Sequence, residues 1–210
     1  MVARLFLLQV VFSLTVSACT PVYQYFRQLS KKYEKEPIIE TIFYLPKITY
    51  VDLEMKEQGV SISLQELVSN IRTGMRILFL GRPGVGKTTV TRYMTKMLLQ
   101  NRRFELVVKI HLGNVELKDL ENLELEDLLQ IEADESFNSK PEDIQRISEY
   151  IKSIAGKGVC FLLDGYDKYY ARSDYVNGLL TRRFLDESVV ILTSRPSAID
   201  EITDYFHRKV

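Results

Sequence analysis

The sequence has few cysteines, few histidines and no excess of charge of either sign. Two cysteines among 210 residues exclude a disulfide-stapled scaffold and a metal site built on cysteine, and they are typical of a reducing compartment. Lysine plus arginine and aspartate plus glutamate number 28 each, so no overall field favours binding to nucleic acid or to an anionic membrane. The hydrophobic fraction of 46% is enough to fill a core. These values predict a globular protein without nucleic acid as a partner.

The apolar residues at the amino terminus are too few to form a transmembrane helix. Arg4 is followed by a mostly apolar stretch at 5–16, and the small residues Ser17 and Ala18 come directly after it. This order is typical of a secretory signal peptide. The low cysteine content predicts a cytoplasmic protein, and a cleaved signal peptide at 1–18 that directs secretion is the alternative. An apolar helix packed on the domain is a further interpretation of the same residues.

The clearest motif is a glycine-rich segment between a strand-like apolar run, 77–80, and a helical stripe, 87–100. It has the P-loop pattern of a glycine, any four residues and then glycine, lysine and threonine. Its nine residues are Gly81, Arg82, Pro83, Gly84, Val85, Gly86, Lys87, Thr88 and Thr89. Glycine lets successive backbone N–H groups converge on a phosphate, and the positive end of the following helix adds to the attraction. In this pattern Lys87 reaches the β- and γ-phosphates and the Thr88 hydroxyl ligates Mg²⁺, so the segment predicts a nucleotide site.

Apolar periodicity along the rest of the chain predicts strands that alternate with helices, which is typical of an α/β protein with a parallel sheet. The predicted strands are 77–80, 106–112, 159–163 and 188–193. The predicted helices are 61–72, 87–100, 141–154, 175–182 and a last one capped by Ser197 and Asp200, while 116–135 is helical at best.

These elements divide the chain into three segments. Residues 1–20 form the signal-like apolar segment, 21–59 a connector, and 60–210 the nucleotide-binding domain. Within the connector, 38–50 is predicted to be an extended edge-type segment because a proline interrupts it. Earlier in the connector, a short helix is predicted with these residues on one face: Tyr23, Phe26, Leu29 and Tyr33.

Two of the predicted strands end on polar residues. The fully apolar strand 159–163 leads into Asp164 and Asp167. A carboxylate at the carboxyl end of a buried parallel strand lies where open α/β sheets bind ligands. Asp164 is therefore the natural Mg²⁺ carboxylate beside Thr88, and a helix or turn cap is the alternative. The last predicted strand leads to Arg195, which can stabilise charge on a γ-phosphate or form a surface salt bridge.

The two histidines give little basis for a metal site. His111 lies in the second predicted strand, His207 lies near the far end of the chain, and no cysteine is placed to join either of them. Metal ligation by these histidines is therefore not predicted.

Taken together, three motifs resemble the NACHT domain of signal-transducing (STAND) P-loop NTPases. They are the P-loop at 81–89, the segment 161–167 and the segment 191–196. A small residue after the first aspartate, an acid three places on and Ser-Arg-Pro after the sensor strand separate this family from other P-loop ATPases. The resemblance covers about 76–206. It implies a RecA-like (ASCE) parallel sheet, ATP, dATP or ADP with Mg²⁺, and a switch in which ATP permits formation of a homo-oligomer.

The resemblance also assigns roles to individual residues. Lys87 and Thr88 correspond to the phosphate and metal ligands, and Asp164 corresponds to the Walker B carboxylate. Asp167 takes the position of the acid that orients the attacking water, and Arg195 takes the sensor position. The implied biological role is signalling in innate immunity or cell death.

Two departures from the family pattern qualify this expectation. Lys168 stands where the family usually carries a glutamate, which predicts slow or absent hydrolysis. The sheet is also expected to lack its last strand, because the chain ends at Val210. A general P-loop ATPase or phosphotransferase, and a non-functional fragment of a NACHT protein, are the alternatives to a nucleotide switch.

Overall fold

The computed structural model describes residues 20–35, 55–100, 104–114, 123–134, 140–168, 174–199 and 203–210. The predicted signal-like segment and the predicted extended segment at 38–50 lie outside these ranges. In the described part of the chain, no helix is long and apolar enough to cross a membrane.

Six helices and seven strands are described. The helices are α1 (Thr20–Lys35), α2 (Leu64–Ser69), α3 (Lys87–Gln100), α4 (Leu125–Asp134), α5 (Pro141–Ser153) and α6 (Asp174–Leu180). The strands are β1 (Met55–Glu57), β2 (Val60–Ile62), β3 (Arg76–Leu80), β4 (Leu106–His111), β5 (Val159–Asp164), β6 (Val189–Ser194) and β7 (Arg208–Lys209).

The centre of the molecule is a parallel sheet in the order β4-β5-β6-β3-β7. Every residue of β5 and β6 is buried, because helices cover both faces and the strands are correspondingly apolar. The residues that end β4 and β5 are paired, His111 with Asp164. The predicted parallel α/β architecture is confirmed, and the carboxyl ends of the five strands of this sheet lie at one edge.

The expectation that the last strand is missing is wrong. Strand β7 runs parallel to β3, with Ile77 opposite Arg208. The backbone N–H of Leu80 donates to the Val210 carbonyl at 2.7 Å, and that of Val210 donates to the Leu78 carbonyl at 2.8 Å. The strand has only two residues, both charged, so it carries no apolar pattern that sequence could reveal. It lies at the edge of the sheet, where charged residues are common.

Helix α1 belongs to the packed core, which corrects its assignment to a connector. It packs on α3, α5 and β4. Its buried face holds Tyr25, Leu29 and Tyr33, whereas Tyr23 is 55% exposed, so the predicted stripe is wrong at its first position. The Tyr33 hydroxyl donates to Glu132 Oε1 at 2.8 Å and accepts from the Lys109 backbone N–H at 2.8 Å. A buried polar network therefore fixes α1 to α4 and β4.

The ends of two further predicted helices also differ from the prediction. Helix α2 begins after Ser63, whose side chain accepts from the Glu66 N–H at 3.1 Å, because the preceding residues form β2 and pair with β1. The predicted last helix is replaced in its described part by 3₁₀ turns at Pro196–Ala198 and Thr203–Tyr205. Ser197 lies inside the first turn and is not its cap.

Arg76 ties together the starts of β3 and β6 at the amino-terminal edge of the sheet. Its side chain is fully buried. Nε donates to the Leu179 carbonyl at 2.8 Å, and Nη1 donates to the Ser188 carbonyl. Nη2 donates to the Leu185 carbonyl at 3.4 Å. Burial, together with the positive charge of Arg182, lowers the pKa of Arg76 to about 10, so the guanidinium is charged at neutral pH.

Candidate functional site

A cleft of about 420 Å³ opens at the carboxyl-terminal edge of the sheet. It lies beside the ends of β4, β5 and β6 and the amino terminus of α3, which is where open α/β sheets bind ligands. Its walls are formed by Pro83, Gly84, Gly86, Lys87, Thr88, Thr89, His111, Asp164, Gly165, Asp167 and Arg195.

The P-loop has the backbone that its glycines predict. Gly84 and Gly86 have φ of +78° and +95°, in the left-handed region that favours glycine. At Gly81 an added Cβ would lie 2.6 Å from Val85 Cγ2, so a side chain there would force the loop to move. Helix α3 starts directly after the loop, and the N–H of Val90 donates to the Gly86 carbonyl at 2.8 Å. The loop therefore presents the amino-terminal end of a helix to the cleft.

The Lys87 ammonium lies over the loop itself. Nζ donates to the Gly81 carbonyl at 2.7 Å and to the Arg82 carbonyl at 3.2 Å. These acceptors are neutral and partly exposed to solvent, so a phosphate can replace them as a stronger, charge-assisted acceptor.

Asp164 is the electrostatic centre of the cleft. Its Oδ2 accepts from Thr88 Oγ1 at 2.8 Å and from His111 Nδ1 at 3.3 Å. Its Oδ1 accepts from Thr193 Oγ1 at 2.6 Å, and that hydroxyl accepts from the Gly165 N–H at 2.9 Å. Burial raises the pKa of Asp164, but hydrogen bonds from His111, Thr193 and Thr88 outweigh it, and the pKa is lowered overall. The carboxylate is therefore ionised at neutral pH.

This donor set fits Mg²⁺ bound together with a nucleotide. The described residues contain no group of three or more histidine, cysteine, aspartate or glutamate side chains that could cage a metal alone. Mg²⁺ is typically held by one or two carboxylates, while waters and substrate phosphates complete its shell. Asp164 and Thr88 provide one carboxylate and one hydroxyl beside a phosphate-binding loop. The residues present thus match the group that the P-loop pattern predicts.

Asp167 and Arg195 also lie at the cleft, but they contact each other. Arg195 Nε is 2.6 Å from Asp167 Oδ2, and the side chains are 46% and 6% exposed. Gly165, with φ of +83°, turns the chain out of β5 into the 3₁₀ turn Tyr166–Lys168 that carries Asp167. Asp167, which is expected to orient the attacking water, and Arg195, which is expected to contact the γ-phosphate, therefore form one ion pair in this structure.

The structure brings most of the predicted site residues to one place. Lys87, Thr88, Asp164, Asp167 and Arg195 all line the cleft. Elsewhere in the P-loop, the Arg82 and Val85 side chains are exposed, and the Gly81 backbone lies behind the loop as an acceptor for Lys87.

Sequence reasoning missed two residues of the site. His111 is considered from the sequence only as a metal ligand, and Thr193 only as part of a strand, yet both donate to Asp164. One signal points to them in retrospect. Each is a polar residue at or next to the carboxyl end of an apolar strand, and parallel strands bring such residues to the same edge.

Similarity to known proteins agrees with this geometry. Residues 75–210 match the family model of the NACHT domain. A curated protein of Methanocaldococcus jannaschii, which carries the provisional name adenylate kinase, is 28% identical over 102 residues, or 49% of this chain and 49% of that protein. The chain thus spans about half the length of this relative.

Among solved structures, C. elegans PCH-2 is similar to this chain with 22% sequence identity and a TM-score of 0.38, over 64% of this chain and 33% of that one. The family match carries the assignment because it covers more than half of the chain. The protein therefore belongs to the NACHT domain family, and its α/β fold is that of a nucleotide-binding P-loop NTPase.

Proposed function

We propose that the protein is an ATP- and Mg²⁺-binding switch module of NACHT type, with slow or absent hydrolysis. The observation that carries the proposal is the meeting of Lys87, Thr88 and Asp164 at one cleft. Thr88 Oγ1 lies 2.8 Å from Asp164 Oδ2, and Lys87 lies on the same wall. In this proposal Lys87 binds the β- and γ-phosphates while Thr88 and Asp164 hold Mg²⁺, which would neutralise phosphate charge when bound.

The ion pair between Asp167 and Arg195 supports the slow-hydrolysis part of the proposal. Arg195 Nε donates to Asp167 Oδ2 at 2.6 Å, and this contact occupies a carboxylate oxygen that would otherwise be available to orient a water molecule. Lys168 adds a positive charge in sequence where related domains carry an acid. Both features oppose activation of a water molecule.

The switch role and its biological setting are proposed from membership of the family. ATP would favour a self-associated state and ADP a closed monomer, and dATP is an alternative ligand. The setting would be signalling in innate immunity or cell death. In this scheme Arg195 is the group that senses the γ-phosphate, since it is half exposed at the cleft.

A second candidate is a P-loop ATPase or phosphotransferase that turns over rapidly. The observation that favours it is the similarity to a protein provisionally named adenylate kinase. Turnover separates the two candidates. Sustained phosphate release at several per second, which is ordinary for an enzyme, would support the enzyme and contradict the switch.

Thermal unfolding with and without Mg-ATP tests nucleotide binding directly. Ligand at 100 times its Kd stabilises the folded state by about 2.7 kcal/mol, which corresponds to a rise in Tm of about 5–10 °C for a domain of this size. Lys87→Ala should remove that rise and leave the Tm without nucleotide nearly unchanged. Lys96→Ala, on the same helix but away from the cleft residues, is the matched control and should keep the rise. A wild-type protein that gains no stability from Mg-ATP would refute the proposal.

A further inference from the structure

Among the described residues that line the cleft, His111 is the one that belongs to none of the three motifs and still contacts Asp164. It ends β4 and stands opposite Asp164 in the register of the sheet. Its Nδ1 lies 3.3 Å from Asp164 Oδ2, and its side chain is 31% exposed. The ring is thus half-buried between the sheet and the cleft.

The chemistry of the pair decides which partner donates. The ionised carboxylate of Asp164 can only accept, so the hydrogen bond requires the proton of the imidazole on Nδ1. This fixes the tautomer of neutral His111 and leaves the lone pair on Nε2. The other histidine has the opposite arrangement, because His207 Nδ1 accepts from the Arg76 backbone N–H at 3.0 Å. Its proton must lie on Nε2.

The three donors to Asp164 differ in what they can do once a cation is present. Thr88 is itself a proposed ligand of Mg²⁺, so its hydroxyl serves the metal as well as the carboxylate. The other two have no such second role. Thr193 holds Oδ1 at 2.6 Å and His111 contacts Oδ2 at 3.3 Å. With one of them on each oxygen, they set the plane of the carboxylate independently of the metal.

We propose that His111 is a positioning residue for Mg²⁺, which it orients by holding Asp164 Oδ2 through Nδ1. This inference rests on the proposed function, since it concerns the Mg²⁺ that accompanies the nucleotide. Partners that orient a metal ligand in this way commonly contribute 10–100-fold to metal affinity or activity. The 3.3 Å separation places His111 at the lower end of that range.

The test measures how ATP affinity depends on Mg²⁺. In wild type, His111→Ala and His111→Asn, the affinity for ATP is determined in EDTA and over a series of Mg²⁺ concentrations. His111→Ala should require about tenfold more Mg²⁺ for half-maximal ATP binding, while its affinity for ATP in EDTA stays at the wild-type value. In His111→Asn the Mg²⁺ concentration for half-maximal ATP binding should return most of the way to the wild-type value. The amide nitrogen of asparagine occupies the same position along the side chain as Nδ1 and can donate the same hydrogen bond.

His207→Ala is the matched control for loss of a histidine. It lies away from the cleft and should leave the Mg²⁺ dependence unchanged. A second readout uses the nucleotide-free protein. With only two histidines in the chain, ¹⁵N spectra of the imidazoles at about pH 8, well above the usual histidine pKa, should show the proton on Nδ1 of His111 and on Nε2 of His207, assigned by the two variants.

The outcomes separate this inference from the function on which it rests. If wild type binds ATP neither in EDTA nor in Mg²⁺, both fail. If wild type binds ATP in a Mg²⁺-dependent manner and His111→Ala behaves identically, the positioning role alone is wrong. An equal loss in EDTA and in Mg²⁺ would also overturn it, because it would show a contact with the nucleotide instead. A proton on Nε2 of His111 would contradict the hydrogen bond.

Discussion

At the amino-terminal edge of the sheet a buried cation donates to carbonyl groups, and at the carboxyl-terminal edge a buried anion accepts from hydroxyl and imidazole groups. Arg76 is fully buried, and its guanidinium donates to the carbonyls of Leu179, Leu185 and Ser188. Asp164 is 3% exposed and accepts from three side chains beside the cleft.

The partners explain why one arrangement holds the fold and the other is suited to a ligand. Carbonyl groups at strand and helix ends cannot leave Arg76 without moving the backbone, so its contacts are permanent. Two of the donors to Asp164, Thr88 and His111, line an open cleft, and the Thr88 hydroxyl can rotate to a different acceptor. The same distinction separates the histidines, since His207 accepts from a backbone N–H whereas His111 donates to a side chain.

The largest effect on stability is expected when Arg76 is replaced. Arg76→Met should lower the free energy of unfolding by about 3 kcal/mol or more, because several buried carbonyls lose their donor at about 1–3 kcal/mol each. The affinity of the folded protein for Mg-ATP should not change. Urea denaturation and nucleotide binding measure the two quantities. Arg72→Met, which removes an exposed arginine, is the control. If Arg76→Met lowers the free energy of unfolding by less than about 1 kcal/mol, the contacts of Arg76 do not hold the fold in the way proposed for the amino-terminal edge.

The opposite pattern is expected for Arg195→Gln. The ion pair with Asp167 is half exposed on the arginine side, and exposed pairs contribute less than about 1 kcal/mol to stability. Affinity for ATP should fall about tenfold, since a charge-assisted hydrogen bond to phosphate is lost, while affinity for ADP should stay the same. Titration with both nucleotides measures this ratio. Arg183→Gln, an exposed arginine outside the cleft, should change neither affinity. An equal loss for ADP would contradict γ-phosphate sensing.

The smallest effect is expected from the protonation of His207. Burial, Arg182 and Arg76 lower the pKa of His207 from 6.5, so the unfolded chain binds the proton more readily than the folded one. The stabilisation is therefore complete above pH 6.5 and is lost as the pH falls below it. The side chain is exposed, so solvent screening keeps the effect under about 1 kcal/mol.

Denaturation of wild type and His207→Ala from about pH 8 to about pH 5, a range that brackets the histidine pKa, measures this contribution. The stability advantage of wild type should be largest at the high end and should shrink toward the acid end. If the difference in free energy of unfolding between the two proteins stays constant across this range, protonation of His207 does not change the stability and the prediction is wrong.

The sequence predicted those helices and strands whose pattern of residues lies in one uninterrupted stretch of the chain. Helix α3 has the predicted bounds because the P-loop starts it and the apolar stripe continues to Gln100. Strand β5 is recognised because five consecutive apolar residues precede Asp164. Strand β7 and the docking of α1 were not predicted. Strand β7 consists of two charged residues and has no apolar pattern. The buried face of α1 depends on Glu132 and Lys109, which lie far along the chain.

The sequence by itself determined the phosphate-binding loop, since nine adjacent residues carry its glycines, its lysine and its threonines, and glycine can adopt the backbone conformations that such a loop requires. Only the tertiary structure decided what surrounds Asp164 and Asp167. His111 lies 53 positions from Asp164 and Thr193 lies 29 positions from it. They meet because packing of apolar strands fixes the order and register of the sheet. The same packing brings Arg195 to Asp167, a contact between two loops that no local pattern encodes.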